Sequence, residues 1–354
     1  MKRLALSLPG GGLSGALYQV GALAALEDGI EGLGEVGVYV GHASGSILAA
    51  ALAGGISAER LYRALLDPAD PFFPLERRHL IAPDLGEWER TITTAWLALR
   101  RALPSLDPRA RSQVGAAERV AEQLDRLSDS LPAGLFTLDR FERFLAEFFQ
   151  RRDIPNAFFA MPRALRVVAH DLDGGERVLF GAPGHDDVPV SLACAASCAM
   201  PLVYSPVRIG NRHYLDGGLC SMTHFDVAEE QGAEFTIVIN PRVPVAMGST
   251  STVPTGHGPG RSVRDKGLMW VLNQSRRIAS QAMLASELAH PPAGMGVLLL
   301  EPTPEDGLMF LRNARSFDAR RALLEHAYRS TRARLAGWLE ANAALAERLA
   351  LRAR

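Results

Sequence analysis

The chain has 354 residues, 47% of them hydrophobic, enough to bury a large core as one domain or as one domain with a helical extension. Its 38 Lys and Arg nearly balance 39 Asp and Glu, so no net field points to nucleic acid or to a strongly acidic partner. Three cysteines, Cys194, Cys198 and Cys220, make neither an even disulfide framework nor a paired metal motif; they read as thiols of a reducing compartment, and the sequence calls for no metal and no cofactor.

Lys2 and Arg3 precede an apolar run at 4–8 that stops at Pro9 and Gly10, too soon for the core of a secretory signal, so it is expected to be the first strand. No apolar stretch approaches the roughly 20 residues needed to cross a bilayer. A cytoplasmic protein follows, with any membrane contact peripheral, at the inner surface. After Gly10-Gly11-Gly12-Leu13-Ser14-Gly15, the residues Ala16, Val20, Leu23 and Leu26 recur at helical spacing up to Gly29. A second β-rich run spans 36–40, and a helix is expected over 44–53. Two successive strand, glycine-turn and helix units indicate an α/β layered fold with a mostly parallel central sheet.

From about 56 to 152 helices dominate, punctuated by prolines. This helical insertion, with Trp88 and Trp96, is expected to pack over one sheet face rather than to move as a lid. The sheet resumes at 165–171, with 177–180 as the return arm of a hairpin. A small-residue helix over 191–200, strands at 203–207, 213–216, 235–240 and 296–300, and a mobile loop over 246–264 follow. A helix at 267–288 and a long one from about 317 close the chain. The latter carries an apolar stripe of Leu324, Tyr328, Leu335, Trp338, Leu345 and Leu349; docking on the body is expected, with a dimer seam as the alternative, and the oligomeric state stays open. The organisation is therefore a core over 1–240 and a largely helical extension over 241–354 with one added strand, packed on that core.

Gly41-His42-Ala43-Ser44-Gly45-Ser46 has the small residues that a nucleophile elbow needs two places either side of its reactive hydroxyl, but alanine stands at the centre. Ser44 is a poor substitute, because a one-residue shift turns it about 100° around the new helix. The Gly10 to Gly15 loop alone could mark a dinucleotide site, yet no second nucleotide-binding feature and no Walker lysine accompany it. Ahead of an elbow its alternative use is an oxyanion hole, with free N–H groups at a helix start and glycines that admit the substrate. Asp216, ending a strand before Gly217-Gly218, is the matching carboxylate candidate; an aspartate capping a glycine turn is the competing reading.

These residues resemble the patatin-like phospholipase family. The resemblance places the oxyanion loop on Gly10, Gly11 and Gly12, the elbow on Gly41 and Gly45 with Ala43 at the serine position, and the second dyad member on Asp216 with Gly217 and Gly218. It extends to the segment from Ala169 to Gly175 and to Ala196-Ser197-Cys198-Ala199-Met200-Pro201. It implies a patatin-like layered sandwich and a metal-independent serine acyl-ester hydrolase of phospholipid, lysophospholipid or other lipid esters, inactive in this Ala43 form. Departures are Ser14 at the usual Arg or Lys position, Ser221-Met222-Thr223-His224 in place of Asn-Asn-x-Pro, and His42 and His170 where small hydroxyl residues are common. Two histories fit Ala43: a serine replaced in a protein prepared for structural work, which the coherence of the remaining parts favours, or a natural loss that left a lipid-binding or scaffold pseudoenzyme. The partner implied is an acyl lipid at a transiently contacted membrane surface. Arg312, Arg315, Arg320, Arg321, Arg329, Arg332 and Arg334 offer contact to anionic headgroups, against the plainer reading of a solvated helix face.

Overall fold

A computed structural model describes residues 4–31, 36–102, 131–248, 251–303, 306–311 and 316–354. Among the described residues the central sheet has eight strands: β1 (Leu4–Leu8), β2 (Val36–His42), β3 (Ala164–Asp171), β4 (Glu176–Phe180), β5 (Val207–Ile209), β6 (Arg212–Asp216), β7 (Phe235–Ile239) and β8 (Gly296–Leu300). The order β8-β7-β1-β2-β3 is parallel throughout, and β6, β5 and β4 add antiparallel pairs at the β3 end. β1 and β7 are buried at every position, the signature of parallel strands covered on both faces.

The helices that matter for the site are α1 (Gly12–Gly29), α2 (Ser44–Ala53), α3 (Asp139–Arg151), α4 (Val190–Ser197), α5 (Leu268–Ala289) and α6 (Phe317–Ala341). α1 is apolar nearly all round and buried from Leu17 to Leu26, as expected of a helix with neighbours on several sides. α6 crosses it so closely that a Cβ on Gly21 would lie 2.5 Å from the Leu324 carbonyl oxygen. Leu324 and Leu335 are buried and the Trp338 ring packs against Phe235 at a 41° tilt, 5.3 Å between centroids, so the stripe docks on the body. It breaks at Asn342, and Leu345 belongs to a separate short helix, Ala343–Arg348.

Register explains how distant segments meet. β4 lies along β3 from Val167 to Asp171, while β2 pairs with Ala164 to Val168 and β6 with Ala169 to Asp171. β2 and β6 each overlap β4 on β3, so both occupy the opposite edge. They run toward one another and stop head to head: His42 is opposite Val168, and Asp216 is opposite Ala169. One strand step, about 3.4 Å, separates the two end pairs along β3.

Some expectations need correction. Trp88, Ile92 and Trp96 do not pack into a core: in the helix Leu85–Ala102 they are 36%, 65% and 56% exposed, and the Trp88 indole donates to the Leu135 carbonyl. Core packing in this insertion falls to α3 instead, through Phe141, Phe144, Leu145, Phe148 and Phe149. The insertion also contributes strands Ala82–Pro83 and Gly134–Thr137, paired with Leu202–Tyr204 in a small second sheet. The run at 203–207 is therefore two strands, divided at Ser205-Pro206, where proline removes a ladder donor. The small-residue helix ends at Ser197 rather than Met200. The 246–264 segment holds a hairpin, Val253–Thr255 with Gly258–Gly260, so it is not structureless. Among the described residues no helix is long and apolar enough to cross a membrane.

Candidate active site

Position 43 sits on the sharp turn from β2 into α2, and its backbone is not that of an ordinary alanine. Its φ of 48° with ψ of −130° lies outside the regions an L-residue occupies freely, at a cost of about 1–3 kcal/mol. The turn is over-determined by its surroundings. A Cβ on Gly45 would lie 1.9 Å from the Leu8 carbonyl oxygen, and one on Gly41 would lie 2.6 Å from the Gly45 oxygen. The Ala43 carbonyl accepts from the Ser46 N–H at 3.0 Å and the Ser46 hydroxyl at 2.6 Å, while the Ala43 N–H donates to Ser197 Oγ at 2.8 Å. Ser197 in turn donates to the Val168 carbonyl at 2.5 Å, so the end of α4 ties the elbow to β3.

The glycine loop lies directly against that turn. A Cβ on Gly10 would stand 2.4 Å from the Ala43 Cβ, which places the loop at the tip of whatever side chain occupies position 43. Gly11 donates its N–H to Ser44 Oγ at 3.1 Å, and Gly12 has a φ of 63°, the left-handed region that favours glycine, as it opens α1. The first-turn N–H groups of α1 have no intrahelical acceptors. Gln19, a polar residue in an otherwise apolar helix, fixes the loop from behind by donating to the Pro9 and Ile239 carbonyls.

Asp216 is buried and engaged on every side. Its Oδ1 accepts from the Gly218 N–H at 2.8 Å and lies 3.7 Å from Arg242, and its Oδ2 lies 3.0 Å from Arg276. Burial alone would raise the carboxyl, but Arg242, Arg276 and the Gly218 N–H outweigh it and hold the pKa below the usual carboxylate value. Its main-chain N–H donates to the Ala199 carbonyl at 3.1 Å, two residues from the serine that anchors Ala43. The adjoining Gly217 admits no side chain: a Cβ there would lie 2.1 Å from the Val168 oxygen and 2.7 Å from the His42 Cβ. At Gly218 the obstacle would be Arg242 at 2.6 Å.

Sequence reasoning did not find the supports supplied by α5. Arg276 and Glu287 are 11 residues apart, three helical turns, and so share a face. Arg276 meets Asp216, while Glu287 accepts from the Met222 N–H at 3.1 Å and the Thr223 N–H at 2.8 Å. Arg277 points elsewhere, donating to the Pro241 and Val243 carbonyls. An acidic and a basic residue at helical spacing was the available signal, but it does not name its partners.

His42 and His170, singled out in the sequence, occupy different environments. His42 is fully buried, its Nδ1 3.0 Å from His224 Nε2. Burial, reinforced by Arg242, pushes His42 well below its ordinary value; burial and Arg177 push His224 down to about 3. Both rings are neutral near pH 7, one proton bridges them, and among the described residues His42 Nε2 and His224 Nδ1 have no partner. His170 bridges the Asp216 carbonyl and Cys220. Among the described residues no group of three or more His, Cys, Asp or Glu could hold a metal ion.

The family description Patatin-like phospholipase matches residues 6–229, and the chain belongs to that family. No curated protein matches significantly. Among solved structures the chain is similar to VipD from Legionella pneumophila, at 15% identity and a TM-score of 0.39, over 94% of this chain and 66% of that one. It is also similar to the type III effector ExoU, at 18% identity and a TM-score of 0.37, over 93% of this chain and 52% of that one. A third similarity, to ExoU in complex with SpcU from Pseudomonas aeruginosa, has 18% identity and a TM-score of 0.30, over 92% and 52%. The chain thus spans between half and two thirds of the length of these proteins, and the family assignment rests on the family match.

Proposed function

We propose that the site is that of a patatin-type acyl hydrolase of lipid esters, competent with serine at position 43 and without turnover in the Ala43 chain. In the competent form the serine hydroxyl attacks the ester carbonyl and Asp216 takes its proton and returns it to the leaving alcohol. N–H groups at Gly11 and Gly12 stabilise the oxyanion, and water then releases the acyl group. The observation that carries this reading is the strained φ and ψ of Ala43, held between the Gly10 loop and the end of β6. Such a conformation is retained at a cost, and the sharp strand-to-helix turn it makes is the one that presents a nucleophile.

Ala43→Ser tests it. The variant should form a covalent adduct with a fluorophosphonate probe and turn over a short-chain ester, whereas the parent chain should do neither. A folded Ala43→Ser protein that does neither would overturn the assignment.

One observation favours the second reading, a lipid-binding pseudoenzyme: Asp216 is paired with two guanidinium groups and Gly11 N–H with Ser44, so both groups are already occupied. That reading predicts saturable binding of an acyl lipid by the Ala43 chain and no gain from serine. Headgroup contact through the C-terminal arginines has less support. Arg321 pairs with Glu325, Arg334 donates to the Glu301 carbonyl, Arg332 lies 4.0 Å from Asp28, and Arg320 stacks on Phe317. These contacts fit a solvated helix face; Arg312 and Arg315 lie outside the described residues. Location at the inner membrane surface remains part of the proposal, read out by liposome sedimentation at low and physiological salt.

A further inference from the structure

A thiol beside an imidazole stands four residues past Asp216. Cys220 is exposed, and its Sγ lies 3.1 Å from His170 Nε2. The other nitrogen of that ring, Nδ1, lies 2.8 Å from the Asp216 carbonyl oxygen. A carbonyl can only accept, so the ring proton is on Nδ1 and the bare lone pair of Nε2 faces the thiol. Nucleophile, base and a group that fixes the tautomer of the base are thereby in line, the arrangement that activates a hydroxyl or thiol.

The surroundings hold the three in place. His170 is on β3, paired with Leu215 of β6, and the Cys220 loop is anchored just beyond by Glu287 on the Met222 and Thr223 N–H groups. On the inner side of the same loop, fully buried His42 has an Nε2 without a hydrogen-bond partner among the described residues, 2.7 Å from where a Gly218 Cβ would be. On the outer side Leu219 is exposed beside the thiol and offers apolar contact. Burial outweighs Arg177 and raises the Cys220 thiol, so it rests as S–H and needs a base at the moment of attack. The other two cysteines are poor nucleophiles: burial pushes Cys194 up to about 12 and Cys198 far above its ordinary value.

We propose that Cys220 and His170 form a thiol acylation site that accepts an acyl group from an acyl thioester. Sγ attacks the thioester carbonyl carbon as its proton passes to His170 Nε2. The tetrahedral intermediate expels the donor thiolate, which recovers the proton from Nε2, leaving S-acyl-Cys220 and a free thiol. One S–C bond forms and one breaks, and nothing is oxidised or reduced. Exchange between thiols keeps the bond type unchanged, so a base and an accessible sulfur suffice. The site does not involve position 43 and stands or falls apart from the hydrolase reading.

The test uses the full Ala43 chain with octanoyl-coenzyme A, followed by intact-mass and peptide mass spectrometry. A single hydroxylamine-labile octanoyl adduct is expected on Cys220, with Cys194 and Cys198 unmodified and no adduct in Cys220→Ala. His170→Gln should slow acylation about 100-fold, within the usual range for loss of a general base. Acylation of Cys220 no faster than that of free cysteine at the same pH would overturn the proposal, as would a rate unchanged by His170→Gln. Should that variant not fold, the unsubstituted protein decides at a single pH: acylation of Cys220 faster than that of free cysteine supports the pair, and an equal or slower rate refutes it.

Discussion

The buried His42–His224 pair predicts an acid-sensitive fold. Both rings are neutral in the folded chain, whereas in the unfolded chain each takes a proton near its ordinary value of 6.5. Desolvation is the main cause; Arg242, Arg276 and His170 add to it at His42. Arg177 and His170 add to it at His224, where Asp226 opposes. A folded pKa depressed in this way contributes stability that is complete above about pH 6.5 and is lost as the pH falls toward about 3. A histidine so depressed removes about 1.4 kcal/mol per pH unit within its window, so between pH 6 and 4.5 His224 removes about 2 kcal/mol, and His42 acts in the same direction. That is a measurable share of the roughly 5–15 kcal/mol typical of a folded domain. Urea denaturation at pH 7, 6 and 4.5 would measure it, against His42→Asn/His224→Gln, in which amides replace the two bonded ring nitrogens. The double variant should lose much less stability on acidification, with any residual slope from carboxylates such as Asp216 and Asp171. Equal losses in the two proteins would refute the reasoning.

Gly45→Ala should destabilise by about 3 kcal/mol or prevent folding, because its Cβ meets the Leu8 backbone and not a side chain that could yield; soluble yield and denaturant midpoint report it. Ser197→Ala orphans the buried Ala43 N–H and should cost about 2 kcal/mol by denaturant titration, with a further loss of probe labelling when combined with Ala43→Ser. Arg276→Met leaves Asp216 with Arg242 and the Gly218 N–H and should cost about 3 kcal/mol at pH 7. Since the lost cation also lets the carboxyl rise, that penalty should shrink on acidification; a penalty independent of pH would count against the pairing.

The sequence made the main sheet and the elbow legible because both obey local rules. Near-continuous apolar runs at β1 and β7, glycines at 41 and 45, and a strand ending in Asp216 each carry their reason within a few residues. The α2 boundaries, Ser44–Ala53, coincide with the expectation for the same reason. What local pattern could not convey was partnership. Arg242 and Arg276 have no periodicity that points to Asp216, and Ser197 reads as one more small residue in a small-residue helix. Likewise Trp88 and Trp96 have core-like spacing, but in Leu85–Ala102 that spacing leaves them exposed, since amphipathic pattern says which residues share a face and not what covers it. The second sheet was missed because two of its strands, Ala82–Pro83 and Leu202–Tyr204, are only two and three residues long.

The head-to-head ending of β2 and β6 makes β3 a ruler. Positions 43 and 216 come from opposite ends of the core sequence, yet their spacing is fixed by one peptide unit, that between Val168 and Ala169, and by the Ser197 clamp above it. Variation in the elbow or in the loop beyond Gly218 can therefore change what lines the candidate site without changing how far apart its two halves stand. An extra residue at that one point of β3 would do the reverse, sliding one half away and inverting every side chain beyond it, with both motifs still intact as sequence.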